Sequence, residues 1–186
     1  MTATSSAVSF APPGTPYTLT LRTGDGTFKG QLTGVSSEPT GMDHRGWGEV
    51  GAQLVEGDTI QAQYETGFDQ TLTIVPLGVF PDANADVIYG FGPPNALVNL
   101  SIENSDAYGF VPTGPDGAFA VAMNQLQMTS GDDLAAGQWV RLCTADADGN
   151  HVCTGASTPT VILRTSMDGQ NDVFGDSAIP GNEILI

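Results

Sequence analysis

Short stretches of alternating apolar and polar residues recur along the chain, and two of them are especially regular. Residues 17–22 alternate Tyr and Leu with Thr and Arg, and residues 98–103 alternate Val, Leu and Ile with Asn, Ser and Glu. Because successive side chains of a strand point to opposite faces, each stretch predicts a strand with one face in a core and the other in water.

Further strands are predicted through the same alternation, at Ile60, Ala62, Tyr64, Leu72 and Ile74 in the first half and at Phe119, Val121, Val140, Leu142, Val161 and Leu163 in the second. Turn-forming sequences rich in Gly, Asp and Pro separate them, for example at residues 24–26 and 114–117. About seven short strands in roughly 80 residues, with a turn after each, are typical of a β-sandwich.

The chain also repeats itself. The sequence FAPPG at 10–14 matches FGPPN at 91–95, and LVEGDTI at 54–60 matches LAAGQWV at 134–140. Between these anchors we align 46–50 with 117–121. Self-similarity at one fixed period indicates repeated structural units.

This organisation predicts an all-β fold class with two tandem immunoglobulin-like β-sandwiches. We place the first copy at 1–77, the second at 78–165 and a C-terminal extension at 166–186. A short linker is expected over 76–85.

Charge and the lack of a long apolar run exclude two kinds of partner. The chain has 21 Asp and Glu against 5 Lys and Arg, which gives a net charge of −16 and a pI near 4.1. Such a chain repels phosphate backbones, so no nucleic-acid partner is expected. No apolar run approaches the roughly 20 residues of a membrane span, so no membrane insertion is expected.

The opening residues lack the pattern of a signal peptide, so we expect either a cytoplasmic chain or a portion of an exported one.

The two cysteines decide between these compartments. A three-residue hairpin loop at 147–149 would place Gly149 where a left-handed backbone is needed. Counting outward from this loop sets Cys143 opposite Cys153 in a non-hydrogen-bonded pair, close enough for a disulfide. A structural disulfide implies an oxidising compartment, so we predict an extracellular or cell-surface location.

Other chemistry for this hairpin is weaker. An EF-hand calcium loop, a redox pair and a zinc site each require residues that it lacks. The chain has two histidines, His44 and His151, at non-equivalent places in the two copies. A Ser/His/Asp arrangement is therefore not expected, and we predict no catalytic residues and no enzyme activity.

Two acidic clusters leave a metal site open. Asp82 and Asp86 lie at the predicted junction of the copies, and Asp168 and Asp172 follow the second copy. Junctional aspartates could bind calcium between domains. Asp and Asn are also common turn formers, which accounts for the same pattern without a metal. We expect no cofactor, and calcium remains the alternative.

The second copy resembles the bacterial immunoglobulin-like modules that occur in tandem in surface proteins and adhesins. The resemblance rests on GPPNALV at 92–98, DGAFAV at 116–121 and DADGN at 146–150, and it covers most of residues 86–164. The first copy departs from these motifs, so its membership rests on the internal repeat. The resemblance implies a spacer, an adhesive domain or an assembly subunit outside the cell, without shared catalytic residues.

We therefore expect a non-enzymatic structural subunit of an extracellular or surface assembly. The alternative is an adhesive, carbohydrate-binding module, which requires exposed aromatic side chains, and the candidates are Trp47, Phe68, Tyr108 and Trp139. A glycosylation sequon at Asn99 would matter only if the source glycosylates it.

The C-terminal extension suggests how copies could join. It ends in Ile184, Leu185 and Ile186, and apolar residues of this kind rarely end a free tail. An extended segment can add to an open sheet edge, either within its own chain or on a neighbour. We hypothesise the neighbour, with residues 173–186 reaching the strand that carries Val8 and Phe10, in a head-to-tail assembly of copies.

Overall fold

The computed structural model describes residues 6–40, 42–127, 133–165 and 171–176, and it is all-β. The strands are Ser6–Phe10 (β1), Pro16–Arg22 (β2), Phe28–Val35 (β3), Met42–Gly46 (β4), Thr59–Tyr64 (β5), Asp69–Thr73 (β6), Gly78–Asp82 (β7), Val87–Phe91 (β8), Leu97–Ile102 (β9), Tyr108–Pro112 (β10), Ala118–Ala122 (β11), Trp139–Ala145 (β12), His151–Ser157 (β13), Thr160–Thr165 (β14) and Asn171–Asp176 (β15). Short 3₁₀ helices span Trp47–Val50 and Met123–Gln125. Among these residues, no helix is long and apolar enough to cross a membrane.

The chain divides into two compact units, Met1–Val75 and Pro76–Ile186. The first contains a four-stranded sheet in the order β3-β2-β5-β6 and a two-stranded sheet of β1 and β4. The second contains a four-stranded sheet in the order β10-β9-β12-β13 and a three-stranded sheet in the order β11-β8-β7. All pairs are antiparallel, and the two four-stranded sheets have the same strand order.

Each unit has its own hydrophobic core on the inner face of its four-stranded sheet. The first core contains Tyr17, Leu19, Leu21, Leu32, Trp47, Ile60 and Tyr64. The second contains Val98, Leu100, Ile102, Val111, Val140 and Leu142 from that sheet, together with Val79, Ile88, Phe119 and Val121 from the three-stranded sheet. The predicted alternation over 17–22 and 98–103 is confirmed, and the second unit is a two-sheet sandwich.

The middle of the predicted repeat alignment is wrong. Strand β4 corresponds to β11, and the 3₁₀ helix after each strand has the same cap. The Glu49 side chain accepts a hydrogen bond from the Gly46 N–H at 3.0 Å, and the Gln125 side chain accepts one from the Ala122 N–H at 3.1 Å. Trp47 therefore corresponds to the buried Met123. Loops of unequal length before β4 and β11 caused the sequence alignment to slip.

A hydroxyl group holds the start of β2 and of β9 in the same way. Ser36 Oγ donates to the Pro12 carbonyl at 2.6 Å and accepts from the Thr15 N–H at 2.9 Å. Thr113 Oγ1 donates to the Pro93 carbonyl at 2.5 Å and accepts from the Ala96 N–H at 2.9 Å. These bonds satisfy buried backbone groups, which explains why the FxPP motif recurs.

The predicted linker over 76–85 is also wrong for its central residues. Residues 78–82 form β7, which pairs with β8, and Val79 is buried in the second core. The boundaries predicted at 77/78 and 165/166 state which segments fold independently. They stay predictions. Strand β14, predicted as a late strand of the second copy, pairs with β15 in a separate sheet.

Candidate functional site

The outer face of the four-stranded sheet in the second unit exposes large apolar side chains. Phe110 is 70% exposed, Leu97 62%, Tyr108 50% and Trp139 43%. Together with the exposed Arg141, these four define what we call the aromatic face. They lie on β9, β10 and β12 at positions that alternate with core residues, because neighbouring side chains of a strand point to opposite faces.

The Trp139 indole lies close to the backbone of β13 because its diagonal neighbour on that strand is a glycine. A Cβ atom built on Gly155 would lie 2.5 Å from Cζ2 and 2.6 Å from Cε2 of the indole, closer than real Cβ contacts. This edge of the ring therefore lies over the Gly155 backbone, and 43% of the side chain remains exposed. Glycine in the interior of a strand often marks such a close approach.

Polar residues lie between the aromatic ones. Tyr108 is opposite Ser101, which is in turn opposite Arg141 on the next strand. Phe110 is opposite Asn99 in the neighbouring row. Each row thus begins with an aromatic side chain on the edge strand β10 and continues with a polar side chain on β9, and adjacent strands are about 4.8 Å apart.

The disulfide lies on this same face. Cys143 is opposite Cys153 in the register counted from the sequence, and the two form a disulfide. The exposed Arg141 guanidinium approaches Cys153 Sγ at 3.5 Å. The bond therefore ties β12 to β13 beside the aromatic face.

The turn that closes this hairpin is organised by Asp146. Its carboxylate accepts hydrogen bonds from the N–H of Asp148 and of Asn150, both at 2.9 Å, and from the Asn150 side chain at 3.0 Å. Burial alone would raise the pKa of Asp146, but these hydrogen bonds outweigh it and lower the pKa below its usual value. The carboxylate is thus engaged within the turn.

Reducing the disulfide should destabilise the second unit without unfolding the first. Its loop is short, with Cys143 and Cys153 ten positions apart, and a loop-entropy argument gives about 2–3 kcal/mol. We expect calorimetry with and without reductant to show a lower unfolding temperature for the second unit alone. A Cys143→Ser, Cys153→Ser variant that matches the oxidised protein in stability would contradict this.

The first unit provides an internal control for the aromatic face. Its four-stranded sheet has the same strand order and equivalent registers, yet the equivalent outer positions are different in chemistry. In the order Leu97, Tyr108, Phe110, Trp139, Arg141 and Gly155, the first unit has Pro16, Gln31, Thr33, Thr59, Gln61 and Thr71. The fold therefore does not require aromatic residues at these positions.

The four predicted platform residues do not form one surface. The prediction that Trp47 belongs to an exposed platform is wrong, because its side chain is 0% exposed and lies in the first core. Phe68 is exposed, but it belongs to the first unit, where its ring centroid lies 6.0 Å from that of Tyr64. Tyr108 and Trp139 are exposed on the same face of the second unit.

The calcium candidates have structural roles where the structure describes them. Asp82 accepts hydrogen bonds from the N–H of Asn84 and Ala85, and Asp86 accepts one from the Leu134 N–H at 2.8 Å. Asp168 lies outside the described residues, and Asp172 lies on β15. The described part of the chain contains no group of three His, Cys, Asp or Glu side chains suited to a metal ion. Calcium binding stays a prediction.

The predicted subunit-contact residues are only partly described. Val8 and Phe10 lie on β1, which pairs with β4 of the same chain. Residues 173–176 of the proposed linking segment belong to β15, which pairs with β14. Ile184, Leu185 and Ile186 lie outside the described residues.

No protein-family model and no curated protein sequence matches the chain. Among solved structures, it is similar to a tetra-tandem repeat in the extending region of a large adhesion protein, with 15% identity and a TM-score of 0.31, over 94% of this chain and 59% of that one. It is also similar to the BSP domain of a biofilm-associated protein, with 17% identity and a TM-score of 0.33, over 83% of this chain and 27% of that one. The chain thus spans less than two thirds of either.

Proposed function

We propose that this chain is a non-enzymatic module of an extracellular or cell-surface protein, and that it acts by presenting the aromatic face to a partner. In this proposal both units are immunoglobulin-like sandwiches. The second unit makes the contact. The first unit, which has Gln31, Thr33 and Thr59 at the positions equivalent to Tyr108, Phe110 and Trp139, acts as a spacer.

The observation that carries the proposal is the difference between two equivalent faces in one chain. Burying Tyr, Trp or Phe contributes more binding energy than burying Thr or Gln, and Trp, Tyr and Arg are enriched at binding hot spots. Several large apolar side chains exposed together on one sheet face mark an interaction site more often than single exposed ones do. Since the first unit forms the same sheet without them, binding explains their presence better than folding does.

The extracellular location is supported by the disulfide. Structural disulfides persist in oxidising compartments and are rare where thiols are kept reduced. The strand arrangement of the second unit supports an immunoglobulin-like fold, since seven antiparallel strands from β7 to β13 divide into two packed sheets.

A second candidate is the structural subunit of an assembly made from copies of this chain. It is favoured by Leu97 and Phe110, because aliphatic and phenyl groups this exposed suit a protein contact. Residues 173–176 of the predicted linking segment pair with β14 of the same chain, and the head-to-tail contact of residues 173–186 with a neighbour is a proposal.

The contact surface can be tested by exchanging residues between the two faces. The polar-face variant gives the second unit the residues of the first: Tyr108→Gln, Phe110→Thr, Trp139→Thr, Arg141→Gln and Gly155→Thr. Beads coated with the native protein are placed on panels of extracellular-matrix proteins and glycans. Soluble native protein should displace them, and soluble polar-face variant should not. Equal competition by both proteins would show that the contact lies elsewhere.

A further inference from the structure

The orientation of Trp139 narrows the chemistry of a ligand. The Nε1–Cε2–Cζ2 edge of the indole lies over the Gly155 backbone, while 43% of the Trp139 surface is open to solvent. An exposed aromatic ring held at a fixed place on a sheet suits a flat apolar surface, such as the C–H face of a sugar ring.

The groups beside the ring are hydrogen-bonding rather than apolar. Ser101 and Arg141 lie between Tyr108 and the strand that carries Gly155, in one row across the sheet. The guanidinium is a donor with several N–H groups, and the Ser hydroxyl both donates and accepts. A sugar presents C–H groups and hydroxyls on adjoining surfaces, so stacking and hydrogen bonding can occur together on this row.

Charge argues against an acidic ligand. The face contains Arg141, and Glu103 lies next to Trp139, since its backbone N–H donates to the Trp139 carbonyl at 2.8 Å. The two charges offset each other locally, while the chain as a whole carries −16 and repels polyanions. The same charge also opposes the approach of a second copy.

We propose that the aromatic face binds a neutral oligosaccharide, with a sugar ring stacked on Trp139 and hydroxyl groups bound by Arg141 and Ser101. Tyr108 provides a second aromatic surface on the edge strand of the same sheet. This inference rests on the proposed function, because it identifies the partner of the same face.

The protein carries its own spectroscopic reporter. It has two tryptophans, and Trp47 is fully buried in the other unit while Trp139 is partly exposed. A change in tryptophan fluorescence on adding a sugar therefore reports Trp139. Trp139→Thr removes this fluorescence change. Threonine is chosen because Thr59 lies at the equivalent position of the first unit.

The test begins with the full chain on an array of neutral hexose and N-acetylhexosamine oligosaccharides, with sulfated and uronic-acid oligosaccharides alongside. We expect binding to at least one neutral glycan and at least tenfold weaker binding to acidic glycans of similar length. Fluorescence titration gives the affinity of the native protein for the neutral glycan, and isothermal titration calorimetry, which needs no tryptophan, should show at least a tenfold loss of affinity in Trp139→Thr. Gly155→Val keeps the indole but forces it off the sheet, so it should cause a similar loss, whereas Trp139→Phe should retain part of the affinity.

Two outcomes would overturn the proposal that the aromatic face binds a neutral oligosaccharide. One is the absence of binding to every neutral glycan on the array, and the other is neutral-glycan binding that Trp139→Thr leaves unchanged. Sedimentation and the bead competition then separate this failure from that of the proposed function. Binding to a matrix protein or to a second copy that the polar-face variant loses would retain the face as the contact surface. Binding that the polar-face variant retains would overturn both.

Discussion

Lys29→Met is expected to destabilise the first unit by about 3 kcal/mol. Lys29 Nζ lies 2.5 Å from Asp58 Oδ2, and the Asp58 side chain is almost fully buried. Without the lysine, the carboxylate would retain the hydrogen bond from the Val55 N–H at 2.9 Å and lose its counter-charge. Removing one partner of a buried ion pair leaves an uncompensated charge, and this costs about 3–5 kcal/mol. Calorimetry or urea denaturation of the full chain measures the effect.

The second unit supplies the matched control. At the position equivalent to Asp58 it has Gln138, whose side-chain oxygen accepts from the Ala135 N–H at 2.8 Å. A neutral amide thus makes the same backbone hydrogen bond. The double variant Lys29→Met, Asp58→Asn should therefore recover most of the lost stability, to within about 1 kcal/mol of the native protein. If the double variant is as unstable as Lys29→Met, the charge is not the cause.

Gly90→Ala is expected to destabilise the second unit by about 3 kcal/mol. A Cβ atom at Gly90 would lie 2.4 Å from Cζ of Phe119 and 2.5 Å from the Gly78 carbonyl oxygen. The phenyl ring is packed in the core and the oxygen belongs to the backbone of β7, so neither can move freely. Forcing an extra methyl group into a packed region typically costs about 1–3 kcal/mol, and more where backbone must shift.

Gly109→Ala is the control for this substitution in the same unit. Its Cβ would lie 2.9 Å from Cδ2 of Leu126, the end of a flexible side chain. A rotation of Leu126 relieves that contact, so the cost should stay below about 1 kcal/mol. Equal unfolding temperatures for the Gly90 and Gly109 variants would show that the contact with β7 is not tight.

Features determined by neighbouring residues could be predicted from the sequence. Alternation placed the core faces of β2 and β9, and the glycine of the 147–149 loop set the register that brings Cys143 opposite Cys153. Strand β7 was missed because its sequence, GVFPD, has no regular alternation of apolar and polar residues, and its Gly and Pro favoured a linker. Trp47 was misassigned because it begins a 3₁₀ helix, where strand alternation does not apply.

The aromatic face depends on residues far apart in the sequence. Trp139 lies close to the backbone of β13 because Gly155, on that strand, leaves room for the ring. Phe110 and Leu97 were not candidates, because a pattern of alternation does not show which polar positions on the outer face are replaced by apolar ones. A correct alignment of β3 with β10 would have shown this, since it sets Gln31 against Tyr108 and Thr33 against Phe110.

The central claim is that the outer face of the second unit makes the contact and that the fold does not need its aromatic residues. The most direct test measures stability and binding together in the polar-face variant. We expect the free energy of unfolding of its second unit to stay within about 1 kcal/mol of the native value, because the first unit folds with the same residues. Its affinity for the partner should fall at least 100-fold. Native-like affinity in the folded variant would contradict the claim, and so would collapse of the second unit, since the aromatic residues would then be needed for folding.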